Sequence, residues 1–262
     1  MTTQEEQENQ EPTYLGHRER LRTRFMVDEG ASMPDYEMLE LLLTMAIPRR
    51  DVKPLAKRLI NKFDNLKGVL HAPAHRLLDI KGVTPNTIVL LRLIHACMLR
   101  SAYAGLTISE NPVITSWEQM EEYYWQKLAY CEIEEFHVCY LDASYHYIGE
   151  KLLSTGTINQ ASVHPREIIR AALENKAVYI AIIHNHPSGA YKPSDYDIAV
   201  TREIEQLAEV MNFELYDHLI VAKDGVYSFR AHGLIKPKKR RGEDGRIIED
   251  SEDKKKKSPR KK

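Results

Sequence analysis

The chain has 262 residues, 43% hydrophobic and 29% charged, a globular balance with room for two modest cores. It contains no run of 18 uninterrupted apolar residues, so no membrane contact is expected, and its acidic start, MTTQEEQENQEP, lacks the pattern of a secretory signal. The formal net charge of −1 hides an asymmetry: residues 236–262 hold 13 Lys/Arg against 6 Asp/Glu, whereas the other 235 residues hold 24 against 32. An all-over nucleic-acid-binding surface is therefore not expected, although the basic tail could touch a polyanion. Three cysteines, Cys97, Cys131 and Cys139, are too few and too irregularly placed for a disulfide scaffold, which points to a reducing, cytoplasmic setting.

Residues 1–14 are expected to be disordered. Between 15 and 104 apolar residues recur at helical spacing. MPDYEMLELLLTMAI places Met38, Leu39, Leu42 and Leu43 on one side of a helix with Asp35 as its N-cap, and VKPLAKRLINKF repeats the pattern through Leu55, Leu59, Ile60 and Phe63. Further helices are predicted over 73–78 and 86–100. The connection LLDIKGVTPNT looks like a helix-hairpin-helix turn, with Gly82 present and Thr84 where a second glycine is usual.

Past Gly105 the texture changes to a mixed α/β region over 107–235. FHVCYLDASYHYIGEKLLST reads as two strands around a polar turn at 142–145, and a helix is predicted from Pro165. The aromatic-rich stretch with Trp117, Tyr123, Tyr124 and Trp125 reads as helix packing. Residues 177–183, all apolar, predict a buried central strand; a helix from Ser194 and two strands around Asp224-Gly225 complete the set. The tail, 236–262, has no core-forming pattern and is expected to be disordered.

The chemistry concentrates in IIHNHPSGAYKPSDYDIAVT, where a buried strand gives way to a helix. The carboxyl end of such a strand is a common place for an active site. His184 and His186, two apart in an extended segment, share one face. Ser194 is the predicted N-cap and Asp197 stands three residues later, in the first helical turn. Two imidazoles and a carboxylate suit one Zn²⁺ ion with an open position for water, whose pKa zinc lowers toward roughly 7. The bland alternative is a carboxylate that only caps its helix beside histidines bonded to backbone.

His184-x-His186, seven residues, Ser194, two residues and Asp197 match the JAMM, or MPN-plus, metalloprotease motif. With HNHPSG, KPSDYD, VHPREI and the later DHLI, the chain resembles the RadC family (UPF0758-like) over about residues 14–235. The resemblance implies a JAMM/MPN-like, cytidine-deaminase-like α/β domain behind a small helix-hairpin-helix-like domain. It also implies His184, His186 and Asp197 as zinc ligands, Ser194 as donor to an oxyanion, and a peptide or isopeptide bond as substrate.

Such a hydrolase needs a glutamate on an upstream strand, and Glu150 is the residue chosen. It stands six residues before Gly156, one more than the family spacing, and Lys151 occupies the usual place. A one-residue slip reverses a strand side chain unless a bulge around 153–155 absorbs it. Asp217 and His218 match the family's Asp-His pair, either supporting a ligand ring or bonding structurally. Two other readings stay open: a DNA-associated factor acting through the hairpin or the tail, and a metal-binding scaffold without catalysis.

Overall fold

A computed structural model of the chain describes residues 13–107, 117–156 and 165–236, with 240–241 and 247–248 in the tail. It divides into two units, Met1–Ser101 and Ala102–Lys262.

The first unit is all-helical: α1 (Thr13–Asp28), α2 (Asp35–Ala46), α3 (Lys53–Phe63), α4 (Leu66–His71), α5 (Ala74–Leu78) and the start of α6 (Pro85–Thr107). Leu39, Leu43, Leu55 and Leu59, from the predicted stripes, form its core together with Val69, Leu77 and Leu91. Asp35 is not the cap of its own helix. Pro34 holds that position with no side-chain bond, and Asp35 Oδ2 instead accepts the Leu66 N–H at 2.8 Å, at the start of α4. The end of α2 is closed from outside. Arg18, 8% exposed, donates to the carbonyls of Ile47 (2.8 Å), Arg50 (2.6 Å) and Pro48, the carbonyl-end capping that a cation does best. Thr84, where a glycine was expected, is a helix-start residue: its Oγ1 accepts the Thr87 N–H at 3.3 Å. Gly82 alone takes the left-handed conformation of the turn, at φ +103°.

The second unit is a mixed α/β domain, consistent with a JAMM/MPN-like fold. Its elements are α7 (Trp117–Leu128), β1 (Glu135–Leu141), β2 (Tyr147–Thr155), α8 (Pro165–Glu174), β3 (Tyr179–Asn185), α9 (Asp195–Val210), β4 (Glu214–Ala222) and β5 (Gly225–Ser228). The five strands form one sheet in the order β2-β1-β3-β4-β5. β3 is central and buried along its whole length, as a run of apolar residues demands. It runs parallel to β4 and antiparallel to β1. Phe136, Val138, Ile180, Ile182, Leu215 and Ile220 pack with Ile168 and Ala172 of α8 and with Val200 and Ile204 of α9.

Within the tail, expected to be wholly without structure, Arg240–Arg241 (β6) pairs antiparallel with Ile247–Ile248 (β7). The disorder expected for residues 1–14 does not hold for 13–14, which begin α1, and for residues 1–12 and the rest of the tail it falls outside the described residues.

Candidate metal centre

The site forms where β3 ends and α9 begins, at the carboxyl edge of the central strand. His184 is fully buried and lies opposite Phe136 in the β1–β3 ladder, with the two rings stacked at 5.9 Å. His186 continues the β4 ladder through its N–H to Val221 O (2.9 Å), so its imidazole returns to the face that carries His184. The turn that follows, with Gly189 at φ +89°, delivers the chain to Ser194, which starts α9 with a complete capping box. Asp197 thereby arrives beside the histidines with only 2% exposure.

His184 Nε2 and His186 Nε2 are 3.0 Å apart. Asp197 Oδ1 is 3.2 Å from the first and Oδ2 is 3.6 Å from the second. Two ligands on a tetrahedral ion with bonds of about 2.0–2.1 Å stand about 3.3–3.4 Å apart, and these distances bracket that value.

Proton counting sharpens the fit. Thr201 Oγ1 gives its one proton to the Asp197 carbonyl (2.6 Å), so at 2.7 Å it can only accept from His218 Nδ1. His218 Nε2 is then a bare acceptor for the proton on His184 Nδ1, 2.8 Å away. His184 Nε2 is left with a lone pair. His186 Nδ1–H donates to the Ala190 carbonyl at 2.5 Å, which turns its Nε2 toward His184. Burial pulls the pKa of His184 below the ordinary histidine value, with Asp197 offsetting only part of that. Burial, with His184 close by, pulls His218 further still. The Nε2 atoms of the two imidazoles thus stand 3.0 Å apart beside the Asp197 carboxylate, a donor set that a cation between them satisfies.

Asp197 supplies the negative charge. Burial alone would raise its pKa, but bonds to His184 and Ser194 hold it well below the usual carboxylate range. Ser194 donates to Asp197 Oδ2 from both its N–H (2.7 Å) and its hydroxyl (2.6 Å). The expected oxyanion donor is therefore committed to the carboxylate, and its visible task is to hold Asp197 still.

Glu150 is not at this site. β2 does carry a bulge at Leu153, since Phe136 pairs with Ser154 and His137 with Leu152. The bulge leaves Glu150 opposite Cys139, on the sheet face away from Phe136 and His184. There it accepts from Tyr123 Oη (2.9 Å) and pairs with Lys127, both on α7. The glutamate beside the imidazoles is Glu134. Glu134, His184 and His186 each offer a ligand atom, all within 4.8 Å of one another, a set capable of holding a metal ion. Glu134 directly precedes the strand EFHVCYL, and the pairing of that strand with β3 brings it to the site.

The Asp-His pair divides. His218 orients a candidate ligand ring. Asp217 faces the other way and accepts from Ser228 Oγ (2.6 Å), His218 N (2.7 Å) and Arg230 N (2.9 Å). Burial pushes its carboxyl up to about 6 against those bonds. Thr201, one helical turn after Asp197, was missed by the sequence reading. Replacing it by valine keeps the shape but removes the acceptor that fixes His218. Thr201→Val is expected to weaken metal binding about 10- to 100-fold with the fold intact, as read by chelator competition.

The fold and the site together define a helical region followed by a mixed α/β domain with a candidate metal-binding cluster at its central strand. A family model described as a RadC-like JAB domain matches residues 114–234. A UPF0758 protein of Ruegeria pomeroyi is 41% identical over 225 residues, 86% of this chain and all of that relative. A UPF0758 protein of Rhodobacter capsulatus is 40% identical over 215 residues, 82% of this chain and again the whole relative. The chain belongs to the RadC/UPF0758 family. These likenesses speak to the JAB-type expectation and not to its deaminase-like part.

Proposed function

We propose that the protein is a zinc-dependent hydrolase of peptide or isopeptide bonds, with His184, His186 and Asp197 as ligands and Glu134 as general base. The observation that carries this reading is two imidazole Nε2 atoms 3.0 Å apart with the buried Asp197 carboxylate 3.2 and 3.6 Å from them. Imidazole-rich sets with a carboxylate favour zinc among the common divalent ions. When bound, such an ion supplies a Lewis acid and a water acidic enough to be deprotonated near neutral pH.

The residues of the chain do the rest. Glu134 takes the proton of the attacking water and passes it to the leaving nitrogen. His218 and Thr201 keep His184 in the tautomer that presents Nε2, and the Ala190 carbonyl does the same for His186. Ser194 fixes the Asp197 carboxylate, and Phe136 closes the inner side of the His184 ring against water.

The other readings have less support. The inert scaffold was motivated by a misplaced Glu150, and Glu134 removes that motive. For DNA docking through the α5–α6 turn, the Thr84 N–H is turned to Thr87 Oγ1 at 3.4 Å and the Val83 N–H to the Ile80 carbonyl at 3.0 Å, inside the turn.

The test is turnover of a peptide and isopeptide library by zinc-loaded protein. Cleavage that stops with chelator and returns with zinc supports the proposal. Cleavage indifferent to chelator, or none in protein carrying a full zinc complement, contradicts it.

A further inference from the structure

Between the two candidate histidine ligands stands a residue that faces the other way. Asn185 is 1% exposed, on the opposite side of β3 from the imidazoles. Its side chain makes three hydrogen bonds to backbone, one to Glu135 at the start of β1 and two to the segment joining α7 to β1. Oδ1 accepts the Glu135 N–H at 2.8 Å, and Nδ2 donates to the carbonyls of Ile133 (3.1 Å) and Cys131 (3.4 Å). Glu134 lies between two of those contact points. From its other side the same residue is held at its carbonyl, which accepts the Gly156 N–H at 2.9 Å.

We propose that Asn185 is a positioning residue: it couples the His184–His186 strand to the Glu134 segment and so sets where the Glu134 carboxylate stands relative to the metal. The inference rests on the metal-hydrolase reading above. Its physical basis is that a loop carboxylate must be held to within about half an ångström to act as a base or a ligand. The segment before β1 has no regular ladder of its own to hold it there. The β3 position between the two histidines is the nearest rigid point. A primary amide is the side chain of this size that offers an acceptor and two donors together. Aspartate lacks the donors, and leucine would make none of the three bonds. Because the histidines and Asn185 are consecutive on one strand, any movement of the ligands carries the base with it.

The test is a double-mutant cycle on the full chain, read by Co²⁺ absorption and by Zn²⁺ affinity from chelator competition. Glu134→Gln is expected to alter the visible bands of bound Co²⁺, because the carboxylate either ligates the ion or bonds to its water. Asn185→Ala is expected to produce the same change and to weaken zinc about 10-fold. In the Glu134→Gln background it should add nothing to the cobalt spectrum. Asn185→Ser, whose hydroxyl cannot span both sides of the segment, is expected to behave alike and serves if the alanine variant does not fold. A wild-type cobalt spectrum in the folded Asn185 variants would overturn the inference. So would an equal change in both backgrounds, which would mean that Asn185 acts through the histidines. Failure of the wild-type chain to bind Co²⁺ at all would instead strike the metal-hydrolase reading itself.

Discussion

Glu134→Gln is expected to lower peptide turnover by a factor of about 100 or more, in protein that still takes up zinc. The amide keeps the size and polarity of the side chain but cannot accept the proton of the attacking water. Glu150→Gln is expected to leave turnover near the wild-type level and to lower stability instead. Glu150 is the counter-charge of Lys127 in a site where both side chains are under a quarter exposed. Burial alone would raise its pKa, but Lys127, Tyr124 and Tyr123 together hold it below the ordinary 4.5. Neutralising it leaves the Lys127 ammonium unpaired, at a cost of about 2 kcal/mol, or about 5 °C in melting temperature. The pH dependence follows from the depressed pKa. The contribution is complete above pH 4.5 and is lost as the pH falls through the folded value. The wild-type and Glu150→Gln unfolding curves should therefore converge on acidification. Turnover lost in Glu150→Gln and kept in Glu134→Gln would reverse the assignment.

Asp197→Ala is expected to weaken zinc binding by more than about 100-fold, beyond the usual loss of a supporting partner. It also removes half of the capping box of α9, a loss of about 1 kcal/mol. Asp197→Asn separates the two effects. Its amide oxygen still accepts from Ser194 and keeps the helix start, while the charge beside the imidazoles is gone. Zinc affinity should fall in both variants, and the melting temperature of zinc-free protein should fall chiefly in the alanine variant. Equal zinc affinity in wild type and Asp197→Asn would reduce Asp197 to a helix cap.

The parts of the site that were legible in sequence are those that one short segment delivers. His184, His186, Ser194 and Asp197 span 14 residues, and strand alternation plus a capping box fixes their mutual placement. Glu134 was not found because its nearness to His184 is a property of the β1–β3 pairing, which brings together residues fifty positions apart. Glu150 is the glutamate nearest the family spacing before Gly156, although a strict count along the strand falls on Lys151. Such a count cannot tell which face a bulged edge strand presents, and the neighbour that settles it, Cys139, is on another strand. The same limit explains Asp35. Its residue type announces a cap, but the helix it serves, α4, is a short segment that periodicity did not reveal. By contrast, β3, α8 from Pro165 and the β4–β5 hairpin at Asp224 were readable because burial pattern, proline and turn chemistry agree locally.

Everything in this account depends on two imidazoles and one carboxylate closing around a single ion. Titration of metal-free protein with Zn²⁺ by calorimetry tests that most directly. One ion bound per chain, with the heat lost in His184→Ala, is the predicted result; no uptake by folded protein, or unchanged uptake by the variant, would contradict it.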